Sequence, residues 1–279
     1  MLENTFLHVP GVGRTTERLL WDKGCRDWDT WLANPDLYGM GAASLETGRE
    51  VLEASKRSLQ KGCHQFFART LGMAESWRAW EHFRDSTVYL DIETDGGQSG
   101  DAITIVGLYD RNGFRGLVRD QDLHEFPDVI SHYSCIVTFF GGGFDIPMLK
   151  RRFASVDFDQ IHIDLCPTLR RLGLKGGLKK IEKELGIARG DETDGLTGWD
   201  AVRLWREHQR GSSSALQTLL AYNREDVANL EFLARYAYER LKALTLPPSM
   251  GGSEEEERIA PAPARTRGRA PRPRPDPAT

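Results

Sequence analysis

The sequence predicts an α/β fold: a mixed five-stranded sheet flanked by helices, preceded by a small helical region and followed by a disordered tail. Three observations carry that expectation. Residues 1–84 space their apolar side chains three and four apart, as in TTERLLWDKG and SLETGREVLEASKRSLQK, which is the period of an amphipathic helix. Residues 85–246 alternate short β-branched runs with helical segments. Residues 247–279 hold eight of the thirteen prolines, an acidic run from Glu254 to Glu257 and five arginines between Arg265 and Arg274. Such a segment cannot bury enough apolar surface to offset its ordering entropy.

The middle zone reads element by element. TVYLDIET (87–94) is a mostly apolar, β-branched strand ending in acids, and AITIVGLYD (102–110) is a second. Asn112-Gly113 is the turn pair of a tight hairpin into GFRGLVR (113–119). DLHEFPDVI reads as a helix. CIVTFF (135–140) is a continuous apolar run, as expected of a central buried strand. GGGFDIPMLKRRF turns into a helix that tolerates Pro147 in its first turn. QIHIDL (160–165) is the fifth strand. PTLRRLG, LKKIEKELG, GWDAVRLWREHQ and SALQTLLAYNREDVANLEFLARYAYERL are helices. Three antiparallel strands, helix, strand, helix and strand is the order of a ribonuclease H-like fold.

Composition excludes several classes. Of the 279 residues 39% are hydrophobic and 28% charged, which rules out collagen, a coiled coil and a wholly disordered chain. No run of 18 apolar residues exists, so no membrane span is expected. MLENTFLHVPGVG lacks the basic and apolar regions of a secretory signal. Cys25, Cys63, Cys135 and Cys166 lie too far apart for a zinc spacing, and reduced thiols in the cytoplasm are the default. A net charge of -4 argues against a protein that coats duplexes electrostatically. A nuclease is compatible with it, because acidic metal ligands offset basic binding residues.

Four acids stand out. Asp91 and Glu93 are two apart on a strand and so share one face. Two adjacent carboxylates repel each other, and a divalent cation removes that cost; a solvated strand end is the alternative. Asp145 follows CIVTFF through Gly141 to Gly143, glycines that permit unusual dihedrals or close approach of another backbone. It is placed either as a helix cap or as a ligand. Tyr222 and Asp226 are four apart on a helix, on a face that Leu219, Leu230 and Leu233 turn inward. An inward carboxylate needs a partner, and Arg224 is poorly placed to be one.

D-x-E on a first strand, aromatic-Asp after a later strand and Y-x-x-x-D on a late helix match the three motifs of the DEDD exonuclease superfamily, tyrosine branch. VYLDIETDG, VTFFGGGFDIPMLKRRF, HIDL, GGLKKIEKELGI and LAYNREDVANL resemble more specifically the YprB-like ribonuclease H-like family, over about residues 86–240. The resemblance implies that Asp91, Glu93, Asp145 and Asp226 hold two divalent cations, Mg²⁺ or Mn²⁺, and that Tyr222 positions the attacking water. It also implies 3′–5′ exonuclease action on single-stranded or frayed DNA or RNA ends. Carboxylates without a Cys or His cluster suit Mg²⁺ or Mn²⁺ better than zinc. The family's asparagine five residues before the second-motif aspartate is here Phe140, whose ring can stack on a base or simply pack. In HIDL, Asp164 either supports the ligands from behind or caps a helix beginning near Pro167, and His162 is expected to be a hydrogen-bonded strand histidine.

HVPGVGRTTERLL followed by GCRDWDTWLA resembles a helix-hairpin-helix element, with a stunted first helix. Gly11, Gly13 and Arg14 would then meet a phosphate; a glycine turn entering an amphipathic helix is the alternative. Lys150, Arg151 and Arg152 on one helix, and Lys175, Lys179 and Lys180 around another, can neutralise backbone phosphates or lie in solvent. The reading that follows is a cytoplasmic two-metal phosphodiesterase whose partner is nucleic acid, with a protein partner possible through the tail and no membrane. Its rivals are a catalytically silent nucleic-acid-binding module and a latent nuclease subunit of a repair or processing complex.

Overall fold

The computed structural model of the chain describes residues 1–252. Its sheet has five strands: β1 (Thr87–Thr94), β2 (Ile103–Asp110), β3 (Gly113–Val118), β4 (Cys135–Thr138) and β5 (Ile161–Asp164). They lie in the order β3-β2-β1-β4-β5. The β1–β2 and β2–β3 pairs are antiparallel, and the β1–β4 and β4–β5 pairs are parallel. This is the mixed five-stranded sheet expected from the sequence, with β1 at its centre. Most of the tail read as disordered lies outside the described residues.

Two local expectations shift. The hairpin loop is Arg111–Asn112, since Gly113 already pairs with Asp110 and takes a positive φ of 114°. The Asp110 carboxylate accepts the Asn112 amide at 2.8 Å and closes that loop. β4 stops at Thr138, two residues before the apolar run ends, because Phe140 turns to φ 65° and cannot continue a strand.

Alternation along β1 decides which side chains meet. Val88, Leu90 and Ile92 enter a core with Phe126, Ile130, Met148 and Leu149, under the helices Phe126–Ile130 and Asp145–Arg152. Tyr89 faces the other way, and Asp91 and Glu93 share its face. That face is covered by a 33-residue helix, Ser213–Thr245, capped by the Ser212 hydroxyl. Its buried residues, among them Leu219, Tyr222, Asn223, Asp226, Val227, Leu230 and Leu233, recur every three to four positions and form one inward stripe. Gly107 and Gly116, paired across β2 and β3, let this helix come close; a Cβ on Gly116 would stand 2.6 Å from Leu220 Cδ2.

The first 84 residues pack against the same side. Trp21, Trp28, Trp31, Trp77 and Trp80 are buried in one apolar core with Tyr89, Val137 and Ile163 of the sheet and Leu230, Leu233 and Leu241 of the long helix. A buried polar knot sits within it: Arg78 donates to Glu17 at 3.0 Å and to Glu75 at 2.7 Å, and its guanidinium is 1% exposed. Removing the arginine would leave the desolvated Glu17 without its cation, while Glu75 keeps Arg14 and Arg171, a loss on the order of 3–5 kcal/mol. Among the described residues no helix is long and apolar enough to cross a membrane.

A candidate metal centre in a basic-rimmed cleft

Two elements deliver the acids. β1 presents Asp91 and Glu93 on its helix-facing side, and the inward stripe of Ser213–Thr245 presents Tyr222, Asn223 and Asp226. Carboxylate oxygens of Asp91, Glu93 and Asp226 all lie within 4.8 Å of one another. Asn223 joins them: its amide donates to Asp91 Oδ2 at 3.1 Å and to Glu93 Oε1 at 3.4 Å. Asn223 fits because Gly107, directly across from Asp91 on β2, has no side chain; a Cβ there would collide with Asn223 Oδ1.

Asp145 is the first residue of its helix and does not cap it, since the N-cap residue is Phe144 and no side-chain cap bond forms. Its Oδ1 instead accepts the amide of Ile92 at 3.0 Å, between the two strand acids. It stands outside the group of three that converge within 4.8 Å. The loop that brings it there is packed by its glycines. A Cβ on Gly141 would collide with the Thr138 hydroxyl, one on Gly142 would stand 3.2 Å from Asp164 Oδ2, and one on Gly143 would stand 2.8 Å from Phe140 Cζ. The unusual dihedral belongs to Phe140 and not to the glycines. For a non-glycine residue that conformation costs roughly 1–2 kcal/mol.

Of the two roles open to Asp164, the structure shows the cap. It caps the helix Leu165–Arg170 through the Cys166 amide at 3.0 Å, a helix that starts two residues before Pro167. It also accepts the amides of Phe140 at 2.8 Å and Gly142 at 3.1 Å, and so holds the loop ahead of Asp145. His162 is the hydrogen-bonded strand histidine, with Nε2 2.8 Å from the Thr138 hydroxyl.

The electrostatics are those of crowded, desolvated acids. Burial holds the Asp91 carboxyl well above the usual range, reinforced by Asp145, Glu93 and Asp226. Burial, with Asp226 beside it, pushes Glu93 up to about 8. Asp145 is pushed up to about 7 by burial, against the Ile92 amide and with Asp164 and Asp226 adding to the rise. Asp226 is raised by burial although Arg189 pairs with it at 2.5 Å. Arg189, and not the exposed Arg224, is the partner of Asp226. It is itself fixed by a two-pronged bond to buried Glu182, at 2.7 and 2.8 Å, and Asn229 donates to the same glutamate at 3.0 Å.

Tyr222 accepts a hydrogen bond from Lys179 Nζ at 3.0 Å, and the same ammonium donates to the Leu196 carbonyl. Burial, then Asp226, Glu93 and Asp91, drive the phenol's pKa above its ordinary value, so it stays protonated near neutral pH. A cleft of about 360 Å³ opens over these groups, lined by Asp91, Tyr222 and Asp226 together with Phe139, Gly177–Lys180, Thr197 and Gly198.

The other candidate contacts lie elsewhere or are already engaged. Lys150 and Arg151 sit at the far end of the helix that starts with Asp145, Lys150 over the Phe158 ring and Arg151 3.0 Å from Met148 Sδ, and neither lines the cleft. Gly11, at φ 86°, packs on the backbone of Ala42 and Ala43. Gly13 is the N-cap residue of the helix Arg14–Asp22, Arg14 pairs with Glu75, and a single 3-10 turn, Leu2–Asn4, precedes the glycine turn. Asn223 and Arg189 are not among the site residues expected from the sequence. Asn223 had a signal, a polar residue on an apolar stripe, four after Leu219 and three before Asp226. Arg189 had none, since it comes from a loop 37 residues away.

The donor set fits a hard divalent cation: three carboxylates, no sulfur and no imidazole, with Asp91 and Glu93 raised by burial and by the acids around them while Asp226 keeps Arg189 as its partner. An α/β sheet of this order, with carboxylates from its central strand and a crossing helix gathered in a cleft, defines a class of ribonuclease H-like domains. The chain matches the RNase_H superfamily over residues 88–238, more than half its length, and belongs to that family. It is similar to the solved structure of the family B DNA polymerase from the hyperthermophilic archaeon Pyrobaculum calidifontis, at 17% identity and a TM-score of 0.48. The likeness covers 57% of this chain and 25% of the polymerase chain, so this chain spans about a quarter of that protein. No curated protein matches the chain significantly.

Proposed function

We propose that the chain is a metal-dependent nuclease that hydrolyses phosphodiester bonds, acting 3′–5′ on single-stranded or frayed ends. The observation that carries the reading is the convergence of Asp91, Glu93 and Asp226 within 4.8 Å at a cleft. The direction of attack rests on the motif resemblance. Asp91, Glu93 and Asp226 would hold Mg²⁺ or Mn²⁺, with Asp145 as a fourth acid and two ions as the full complement. Bound there, the ions supply an activated water and stabilise the leaving oxygen's charge.

The chain's own residues prepare that chemistry. Asn223 fixes the rotamers of Asp91 and Glu93 through its two donated hydrogen bonds. Asp145 ties the start of its helix to β1 through the Ile92 amide. Tyr222 keeps its proton and accepts from Lys179, which leaves the O–H free to donate. It therefore orients a water or a phosphate oxygen and does not act as a base. Lys179 and Lys180 line the cleft and meet the phosphates.

The test is purified protein with 3′- and 5′-labelled single strands and Mn²⁺. The expected result is loss of nucleotides one at a time from the 3′ end, abolished by EDTA and in Asp91→Asn. Cleavage that survives EDTA, or that persists in Asp91→Asn, contradicts the reading.

A further inference from the structure

We propose that Trp199 and Phe140 are stacking platforms for the unpaired bases of a single strand lying in the acidic cleft. The identity of the ligand, a single strand, rests on the nuclease reading; what is added is that its bases are held by their faces on these two rings. Gly198 and Phe139 both line the cleft, and each is followed in the chain by an exposed aromatic. Trp199 is 83% exposed and Phe140 57%. The other six tryptophans are all buried, so this chain ordinarily hides its indoles.

The backbone that carries each ring is fixed. Trp199 stands in the first turn of the helix Gly198–Gln209, whose start is locked by reciprocal bonds between Thr197 and Asp200. Phe140 is held at φ 65° by its amide, which donates to Asp164, and by its carbonyl, which accepts from Gly143 at 3.0 Å. Gly143 leaves room beneath the ring. An exposed aromatic in a backbone conformation that disfavours it is explained neither by burial nor by local ease, and such strain points to a functional role. Base faces are alike in offering a π surface, so stacking binds single strands with little sequence preference. Lys179 and Lys180, which line the cleft beside Gly198 and Phe139, provide the charge that follows the backbone. A blunt duplex keeps its bases stacked on one another and offers no such face.

The experiment uses the full chain in EDTA, where cleavage is suppressed, with oligo-dT, an abasic strand of equal length and a blunt duplex. Trp199 is the exposed indole, so emission quenched on binding reports this residue. Oligo-dT is expected to quench and to bind more tightly than either competitor. Trp199→Ala and Phe140→Ala should each weaken oligo-dT binding about tenfold, the size of one stacked base, with no change for the abasic strand, and Trp199→Phe should restore most of the affinity. Equal affinity for oligo-dT and the abasic strand, or wild-type affinity in both alanine variants, overturns the proposal. Base-dependent binding without Mn²⁺-dependent cleavage would keep the stacking and overturn the nuclease reading; cleavage with no base dependence in binding would do the reverse.

Discussion

The Asn223 side chain fills the space that a Cβ on Gly107 would occupy, and from there it reaches both acids of β1. A missing side chain on one strand thus sets the geometry of carboxylates on the next. Gly107→Ala is expected to cost roughly 1–3 kcal/mol, as overpacking does, and to weaken Mn²⁺ binding by displacing the amide. In a double variant with Asn223→Ala the clash is gone, so the two losses should fall short of additivity. Urea denaturation of the three variants measures this; strictly additive losses would show that the two residues do not meet.

The raised acids set a sign for pH dependence. Glu93 at about 8 and Asp145 at about 7 keep protons in the folded chain that the unfolded chain has already released. Stability of the metal-free protein is therefore full below the ordinary carboxylate range and falls as pH rises from there to about 8. Asp91→Asn should flatten this fall and raise the melting temperature in EDTA at the alkaline end. Mn²⁺ should reverse the slope, because it binds the ionised carboxylates. Thermal melts across that range, with EDTA and with Mn²⁺, decide it; a metal-free protein that gains stability toward pH 8 contradicts the crowding of these acids.

Tyr222→Phe removes one hydroxyl and leaves the ring against Lys179 and Arg189. Turnover should drop on the order of 10²-fold, the lower end for a positioned proton-transfer group, while Mn²⁺ affinity stays near wild type. Single-turnover rates beside a metal titration separate the two; an unchanged rate makes the tyrosine a packing residue.

Residues 85–252 alone should not fold stably. The first 84 residues cover Tyr89, Leu230, Leu233 and Leu241, which truncation would expose. Each large apolar side chain returned to water loses about 1.5–3 kcal/mol. Circular dichroism melts of the truncated chain should show no cooperative transition; one near that of the full chain would mean the shared core contributes little.

Much of this was legible in the sequence where local rules apply. The period of two placed Asp91 and Glu93 on one face of β1, and the period of 3.6 put Tyr222 and Asp226 on one face of a helix. The strands are where alternation and β-branching located them, to within a residue or two. What stayed hidden depends on contacts distant in sequence. The ion pair of Arg189 with Asp226 joins residues 37 apart, and the buried tryptophans of the first 84 residues read as helical without showing which face of the sheet they cover. The triple glycine offers dihedral freedom and close approach alike, and the sequence does not name what it approaches. The structure uses the close approach, and its partners, Thr138, Asp164 and Phe140, are what no local rule reveals.

The central claim is that Asp91, Glu93 and Asp226 form a metal site. Calorimetric titration of Mn²⁺ into the full chain, beside Asp91→Asn and Asp226→Asn, tests it most directly. The expected result is saturable binding in the wild type, approaching two ions per chain, with affinity rising toward pH 8 and at least one ion lost in each variant. Absence of binding in the wild type, or equal binding in all three proteins, would contradict it.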